Sequence, residues 1–314
     1  MTSQKISYNK PPLTSCQHLA QLKNRSLTVN DDDKSIQYLD TIGYYRLSAY
    51  FIPFEQTSNG DMIRNHNFND NTTFDDILNL YIFDRKLRLI VMEAVERIEV
   101  AIRTKWANAL ANLTNDAHAF MRVENFRDPW THQKKLAKVT NNLNESGEVF
   151  VKHYKEKYEQ PFLPPIWAMV ETLTLGELSK WFTNTANDTI KKEIAKSVGF
   201  PSVEILQSVM QGISLMRNIC AHHGRLWNRR LVKPLPYIKK LRETIQTEDA
   251  SNQPRKELFN YLVVTSQMMR AIQPNSTWQT RLQAHIATAS TNHQRAMGFP
   301  ENWQQLAFFQ QEEA

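Results

Sequence analysis

Apolar residues recur at helical spacing in block after block of this chain, and the blocks are long. The pattern predicts helices over Leu13–Leu27 and Lys34–Phe51, parted by a turn at Thr28–Asp33. The acidic run Asp31-Asp32-Asp33 reads as a helix N-terminus, because Asp is favoured at caps and in first turns. Gln56–Asn71 is polar, carries Gly60 and reads as a surface connection. Thr73-Phe74-Asp75-Asp76 then has the form of a capping box, and no Gly or Pro follows between Phe74 and Leu113, which predicts one long helix. Shorter helices are expected over Asp128–Asn142 and Val149–Tyr158. Prolines 161, 164 and 165 stop the chain, and Ile166–Phe182 follows as one helix or as a pair broken around Gly176. Ile190–Val198 is another helix, and Gly199–Ser202 leads into one that starts at Val203. Past Pro234 and Pro236 a charged stretch leads to helices over Lys256–Ile272 and Trp278–Ser290, and Met297–Trp303 closes the chain as a turn. The fold class is therefore all-α, with no sheet beyond an incidental hairpin. Its expected parts are an N-terminal helical unit (1–70), a helical core (71–235) and a C-terminal helical extension (236–314).

Composition narrows this further. Eight glycines in 314 residues are few, which agrees with helices over a turn-rich β protein. Hydrophobic residues make up 41%, enough for a sizeable core. Two cysteines, Cys16 and Cys220, supply neither a disulfide framework nor a zinc spacing, so no metal or other cofactor is expected. The opening residues have no apolar signal core, and no run approaches the ~18 apolar residues of a membrane span. A reduced cytoplasmic compartment is the default expectation, with no membrane partner.

The net charge of +6 is modest, but the charges are uneven. Between Arg217 and Glu243 lie eight cations (Arg217, Arg225, Arg229, Arg230, Lys233, Lys239, Lys240 and Arg242) and one acid, Glu243. Such a concentration fits either a solvated basic face or a polyanion such as RNA. It adjoins Arg217-Asn218-Ile219-Cys220-Ala221-His222-His223-Gly224, where an arginine, a polar partner and two histidines fall within seven residues. A histidine can move protons near neutral pH, and an arginine fork holds phosphate oxygens. The set suits in-line cleavage of a phosphodiester without a metal.

Helical geometry sets a condition on that reading. Leu206, Met210, Ile213, Arg217 and Cys220 share one stripe, so Arg217 lies on the apolar side of its helix, where a charge must be paired or line a cleft. His222 stands about 140° from Arg217 and His223 about 120° the other way. Either Gly224 ends or kinks the helix at the histidine pair, or two copies of the helix assemble the site between them. On the long helix, Arg88, Met92, Glu96, Glu99 and Arg103 form a polar stripe flanked by apolar residues. It reads as an exposed salt-bridged face, or as a half-buried stripe that packs against the Arg217 helix and orients it.

The Arg217–Arg230 stretch resembles the Abi-like (AbiD/AbiF) abortive-infection family of phage-defence proteins. So do Leu39-Asp-Thr-Ile-Gly-Tyr-Tyr-Arg46 with Tyr50, Phe83-Asp-Arg-Lys-Leu-Arg88 through Glu99 and Arg103, Ile166-Trp167 through Leu175-Gly-Glu-Leu178, and Met297-Gly-Phe-Pro300 with Trp303. These segments run in order through nearly the whole chain. The resemblance implies a HEPN-type helical bundle carrying the RX4–6H ribonuclease motif, often dimeric and often a metal-independent endoribonuclease. On that resemblance Arg217 and His222 match the motif's Arg and His, Asn218 its polar second residue, and His223 the His of a looser spacing. Arg225, Arg229, Arg230 and Lys233 would contact RNA, and Arg88, Glu96, Glu99 and Arg103 would support the site. The implied partners are RNA, which could include a structured non-coding RNA, and a second copy of the chain. An antitoxin or a phage-derived trigger stays open. The competing readings are a non-catalytic RNA-binding module and a protein whose activity depends on a partner.

Overall fold

The computed structural model describes residues 7, 9–56, 65–248 and 252–310. Residues 1–6 and 8 of the opening stretch, and 57–64 of the polar connection with Gly60, lie outside them. The chain packs as two compact units, Met1–Lys86 and Leu87–Ala314, with the boundary inside one continuous 41-residue helix.

In the first unit, α1 (Ser15–Asn24) is opened by Thr14, which forms a capping box with Gln17. The acidic run does open a helix. Asp31 accepts a hydrogen bond from the Lys34 amide and caps α2 (Asp32–Thr41). The single helix expected over Lys34–Phe51 is in fact two. Gly43 takes φ +89°, a left-handed conformation that side-chain-bearing residues avoid, and α3 (Tyr44–Ser48) starts after it. Leu22, Leu39, Leu47, Phe51 and Phe68 form the core. Tyr50 donates a 2.6 Å hydrogen bond to Asp84, and both are buried. The long helix, α4 (Phe74–Thr114), starts as expected: the Thr73 amide donates to Asp76 at 2.9 Å, and the Asp76 amide donates back to Thr73 Oγ1 at 3.1 Å.

The second unit contains the rest of α4 and nine further helices among the described residues: α5 (Pro129–Glu145), α6 (Val149–Lys157), α7 (Ile166–Met169), α8 (Leu175–Asn184), α9 (Asp188–Ser197), α10 (Val203–Ala221), α11 (Leu258–Ile272), α12 (Trp278–Ala287) and α13 (Thr291–Ala296). Strands Thr247–Glu248 and Gln253–Pro254 pair antiparallel as the only sheet there, the incidental hairpin of the sequence reading. The break after α7 comes at Leu173–Thr174, not at Gly176. Thr174 and Glu177 form a capping box that starts α8, and Gly176 sits inside the helix. Likewise the helix expected over Trp278–Ser290 ends at Ala287, because Ser290 caps a new one by accepting from His293.

Every residue of α11 from Leu258 to Met269 is buried, so this helix is the middle of the unit. Indole nitrogens tie the outer helices down. Trp106 donates to Thr185 Oγ1 at 2.9 Å, and Trp278 donates to the Ile90 carbonyl at 2.7 Å. Close packing also dictates glycine at one helical position of α10. A Cβ on Gly212 would lie 2.9 Å from the buried Tyr261 ring. Gly212→Ala gains about 1 kcal/mol of helix propensity, but overpacking typically costs 1–3 kcal/mol. A lowered melting temperature is expected in calorimetry, and a raised one would show that the ring yields freely.

Candidate phosphodiester-cleavage site

The site is built at the C-terminal end of α10. Ser202 starts this helix by accepting from the Ile205 amide, and Leu206, Met210 and Ile213 bury its inner stripe. Arg217 continues that stripe but is only half-buried, and its Nη1 donates to Asn218 Oδ1 at 3.4 Å. The helix carries on for one turn to Ala221, with His222 as its C-cap. Its closing hydrogen bonds run from the His223 amide to the Cys220 carbonyl (3.0 Å) and from the Gly224 amide to the Ile219 carbonyl (2.8 Å). That is the pairing of a Schellman turn, whose left-handed position usually belongs to glycine.

Here His223 occupies it, at φ +56°. Gly224 is needed one residue later for a different reason: a Cβ there would stand 3.2 Å from the Ile219 carbonyl oxygen. An L-residue in the left-handed region costs about 1 kcal/mol, and such strain gathers at functional sites. His223→Gly should therefore stabilise the fold by about 0.5–1 kcal/mol in urea unfolding. With the x4 spacing operative, cleavage by that variant should drop less than tenfold, and a loss of stability would show that the ring's contacts outweigh the strain.

His222 and His223 are both exposed. The chain after them is fixed by buried Leu226 and Trp227, the latter donating to the His293 carbonyl at 3.2 Å. Burial holds the His293 imidazole below the ordinary histidine range. Arg225 is half-buried, and Arg229 is exposed with its Nη1 within 3.8 Å of a Cβ built on Gly224, beside the histidines. Some of the cations expected on RNA also bind groups of the chain itself. Arg230 pairs with Glu248 at 3.2 Å and Glu257 at 3.6 Å, and Lys233 donates to Gln211.

The polar stripe of α4 divides. Arg88 and Glu99 are buried, Arg103 is half-buried, and Glu96 is exposed. Arg103 donates to Glu99 and to the Leu173 carbonyl, and pairs with Glu171 at 3.3 Å. Burial raises the Glu99 carboxyl above its ordinary range, while the guanidinium groups of Arg103 and Arg217 pull it the other way. Glu99 thus lies within the field of Arg217. Glu171 and Glu177 belong to the same neighbourhood; Glu177 stood in the Leu175–Leu178 segment of the resemblance, but neither was given a role at the site from the sequence. The Thr174-x-x-Glu177 spacing could have marked the latter, but no local pattern marks Glu171. The α8 helix brings this group to α10: a Cβ on Gly176 would touch Ser214 Oγ at 3.0 Å, one turn before Arg217.

Among the described residues no helix is long and apolar enough to cross a membrane, and no three His, Cys, Asp or Glu side chains are grouped to hold a metal. The molecule is an all-α bundle with a polar, cationic helix end. Residues 37–228, more than half of the chain, match the family model of the Abi-like proteins, and the chain belongs to that family. No curated protein and no solved structure matches it.

Proposed function

We propose that the chain is a metal-independent RNA endonuclease of abortive-infection defence against phage, of the HEPN type, acting through Arg217 and His222. The observation that carries the reading is the end of α10. A half-buried arginine, its asparagine partner and two exposed histidines, one in a left-handed conformation, lie together there. His222 would take the proton of the ribose 2′-hydroxyl, whose oxygen then attacks phosphorus. The bond from phosphorus to the 5′ oxygen breaks, a second imidazole protonates that oxygen, and Arg217 stabilises the charge on the phosphoryl oxygens. The products are a 2′,3′-cyclic phosphate and a 5′-hydroxyl end.

The backbone supports a site shared by two copies. His222 is the C-cap of α10, and its amide still donates to the Asn218 carbonyl at 3.0 Å, as within the helix. Its separation from Arg217 of about 140° therefore persists, and a two-fold homodimer would bring one chain's arginine to the other's histidine. Arg225, two residues past His223, and exposed Arg229, whose Nη1 reaches the Gly224 position, would hold RNA beside the cleft. Release from an antitoxin or a phage-derived trigger would set the timing.

The test is incubation of purified protein with total cellular RNA in EDTA, followed by mapping of the ends. Cyclic phosphate and 5′-hydroxyl ends are expected. Binding without cleavage would leave an RNA-binding module, and cleavage that appears only with phage material would make the activity partner-dependent.

A further inference from the structure

We propose that one ridge of α5, with Trp130 at its head and Lys134 and Lys138 along it, joins Lys135 and Lys180 as a contact surface. Its ligand is a single-stranded RNA segment leading toward the Arg217 end of α10. The inference rests on the reading of RNA as the ligand and names the form of RNA that the site takes.

Trp130 is 81% exposed and Trp167 53%, whereas Trp106, Trp181, Trp227, Trp278 and Trp303 are buried. Its position is set by the backbone. Asp128 accepts from the amides of Trp130 and Thr131 and holds the first turn of α5. Beside the ring lies an open depression of about 490 Å³ lined by Val123, Pro129, His132, Gln133 and Leu136. His132 is held within it by stacking on Phe126 at 4.4 Å and by a 2.8 Å hydrogen bond with the Phe120 carbonyl. An exposed ring over an apolar floor with one amide at its edge is a platform for a planar base.

Lys134 follows one helical turn after Trp130 and Lys138 one turn later, at steps of roughly 6 Å along the helix. Lys180 of α8 and the half-buried Lys135 complete a cluster of four cations. Burial and the neighbouring Lys180, Lys134 and Lys138 all push the Lys135 amine below its ordinary range. The acid that opposes this is Glu177, which is already engaged by Lys138 at 2.7 Å and by the capping of Thr174. Like charges are thus gathered beside a carboxylate that Lys138 already holds, an arrangement that a polyanion would relieve. The ridge also has a direction. Lys138 and Glu177 tie its far end to the start of α8, where Gly176 meets Ser214 of α10, three residues before Arg217.

An aromatic platform takes unstacked bases and not a paired duplex, so a single strand is the matching ligand. Fluorescence anisotropy with an unstructured 12-nucleotide pyrimidine RNA tests it, in a His222→Ala background so that the probe stays intact. Trp130→Ala should weaken binding about tenfold, and Trp130→Phe should restore it. Lys134→Gln with Lys180→Gln should lower the slope of log affinity against log salt by roughly 0.7 per lysine. Binding of the same sequence as a duplex should not respond to Trp130→Ala. Tryptophan emission should fall on addition of RNA and should not fall in Trp130→Phe. Unchanged affinity in both the tryptophan and the lysine variants would overturn the ridge while leaving the RNA reading standing. Competition by polyglutamate as strong as by RNA of equal charge would overturn it in favour of an acidic protein partner. Failure of the His222→Ala protein to bind any RNA would overturn the RNA reading itself.

Discussion

His222→Ala is expected to lose cleavage by roughly 10²–10⁴-fold while its RNA affinity stays within about twofold, the range that a positioned acid or base contributes. A single exposed imidazole adds little to phosphate attraction when Arg225 and Arg229 lie nearby, so chemistry and binding should separate in this variant. Arg217→Ala should lose cleavage by roughly 10²–10³-fold. It should also bind more weakly, since in the proposed cleft it removes a charge that would face phosphate. Arg217→Lys should recover binding better than turnover, because an ammonium restores the charge without the planar fork. Single-turnover cleavage and filter binding on the same preparations, in chelator, measure both. Mixing the Arg217→Ala and His222→Ala chains adds a test of geometry: a cleft shared between two copies regains activity in the mixed dimer. Full cleavage by a His222→Ala, His223→Ala double variant would sink the mechanism. Sedimentation as a monomer with activity intact would remove the shared cleft.

Glu99→Ala should cost about 3 kcal/mol of stability, the second large effect. The carboxylate is 8% exposed and accepts from Arg103 in a network with Glu171 and the Leu173 carbonyl. Deleting it leaves a largely buried guanidinium without its main acceptor, and breaking one side of a buried pair costs more than the pair is worth. Glu99→Gln keeps an acceptor oxygen and removes a desolvated charge, so it should lie within about 1 kcal/mol of the parent. The pH dependence follows from the direction of the shift. The folded-state carboxyl is raised, first by burial, so its contribution is fully present below the ordinary glutamate value and is lost as pH rises through the folded value. The parent should therefore gain on Glu99→Gln as the pH falls toward 4. Urea unfolding at several pH values reads the difference, and the opposite trend would mean that Arg103 and Arg217 outweigh burial.

Some features of the fold are local to a segment, and others are not. The α4 helix and its Thr73–Asp76 box were legible because an uninterrupted helical run and a cap are local properties of the chain. The split of Lys34–Phe51 at Gly43 was not read. Glycine is tolerated within helices, and only the left-handed φ at that position shows that it ends one. At the site, the placement of Arg217 on an apolar stripe was legible from periodicity alone. That His223 and not Gly224 takes the left-handed place was not legible, because glycine is the usual occupant there.

Tertiary packing decided which charges find partners far along the chain. Composition marked the run from Arg225 to Lys233 as basic, but Glu248 and Glu257, which engage Arg230, and Gln211, which engages Lys233, are distant in sequence. The stripe of α4 shows the same division. Its spacing could be read, yet Glu99 is buried and Glu96 exposed, and Arg103 reaches the Leu173 carbonyl, seventy residues along the chain. Local order follows from periodicity and caps, which each segment carries within itself. Whether a charge is paired, buried or left facing solvent depends on residues that only the folded chain brings beside it.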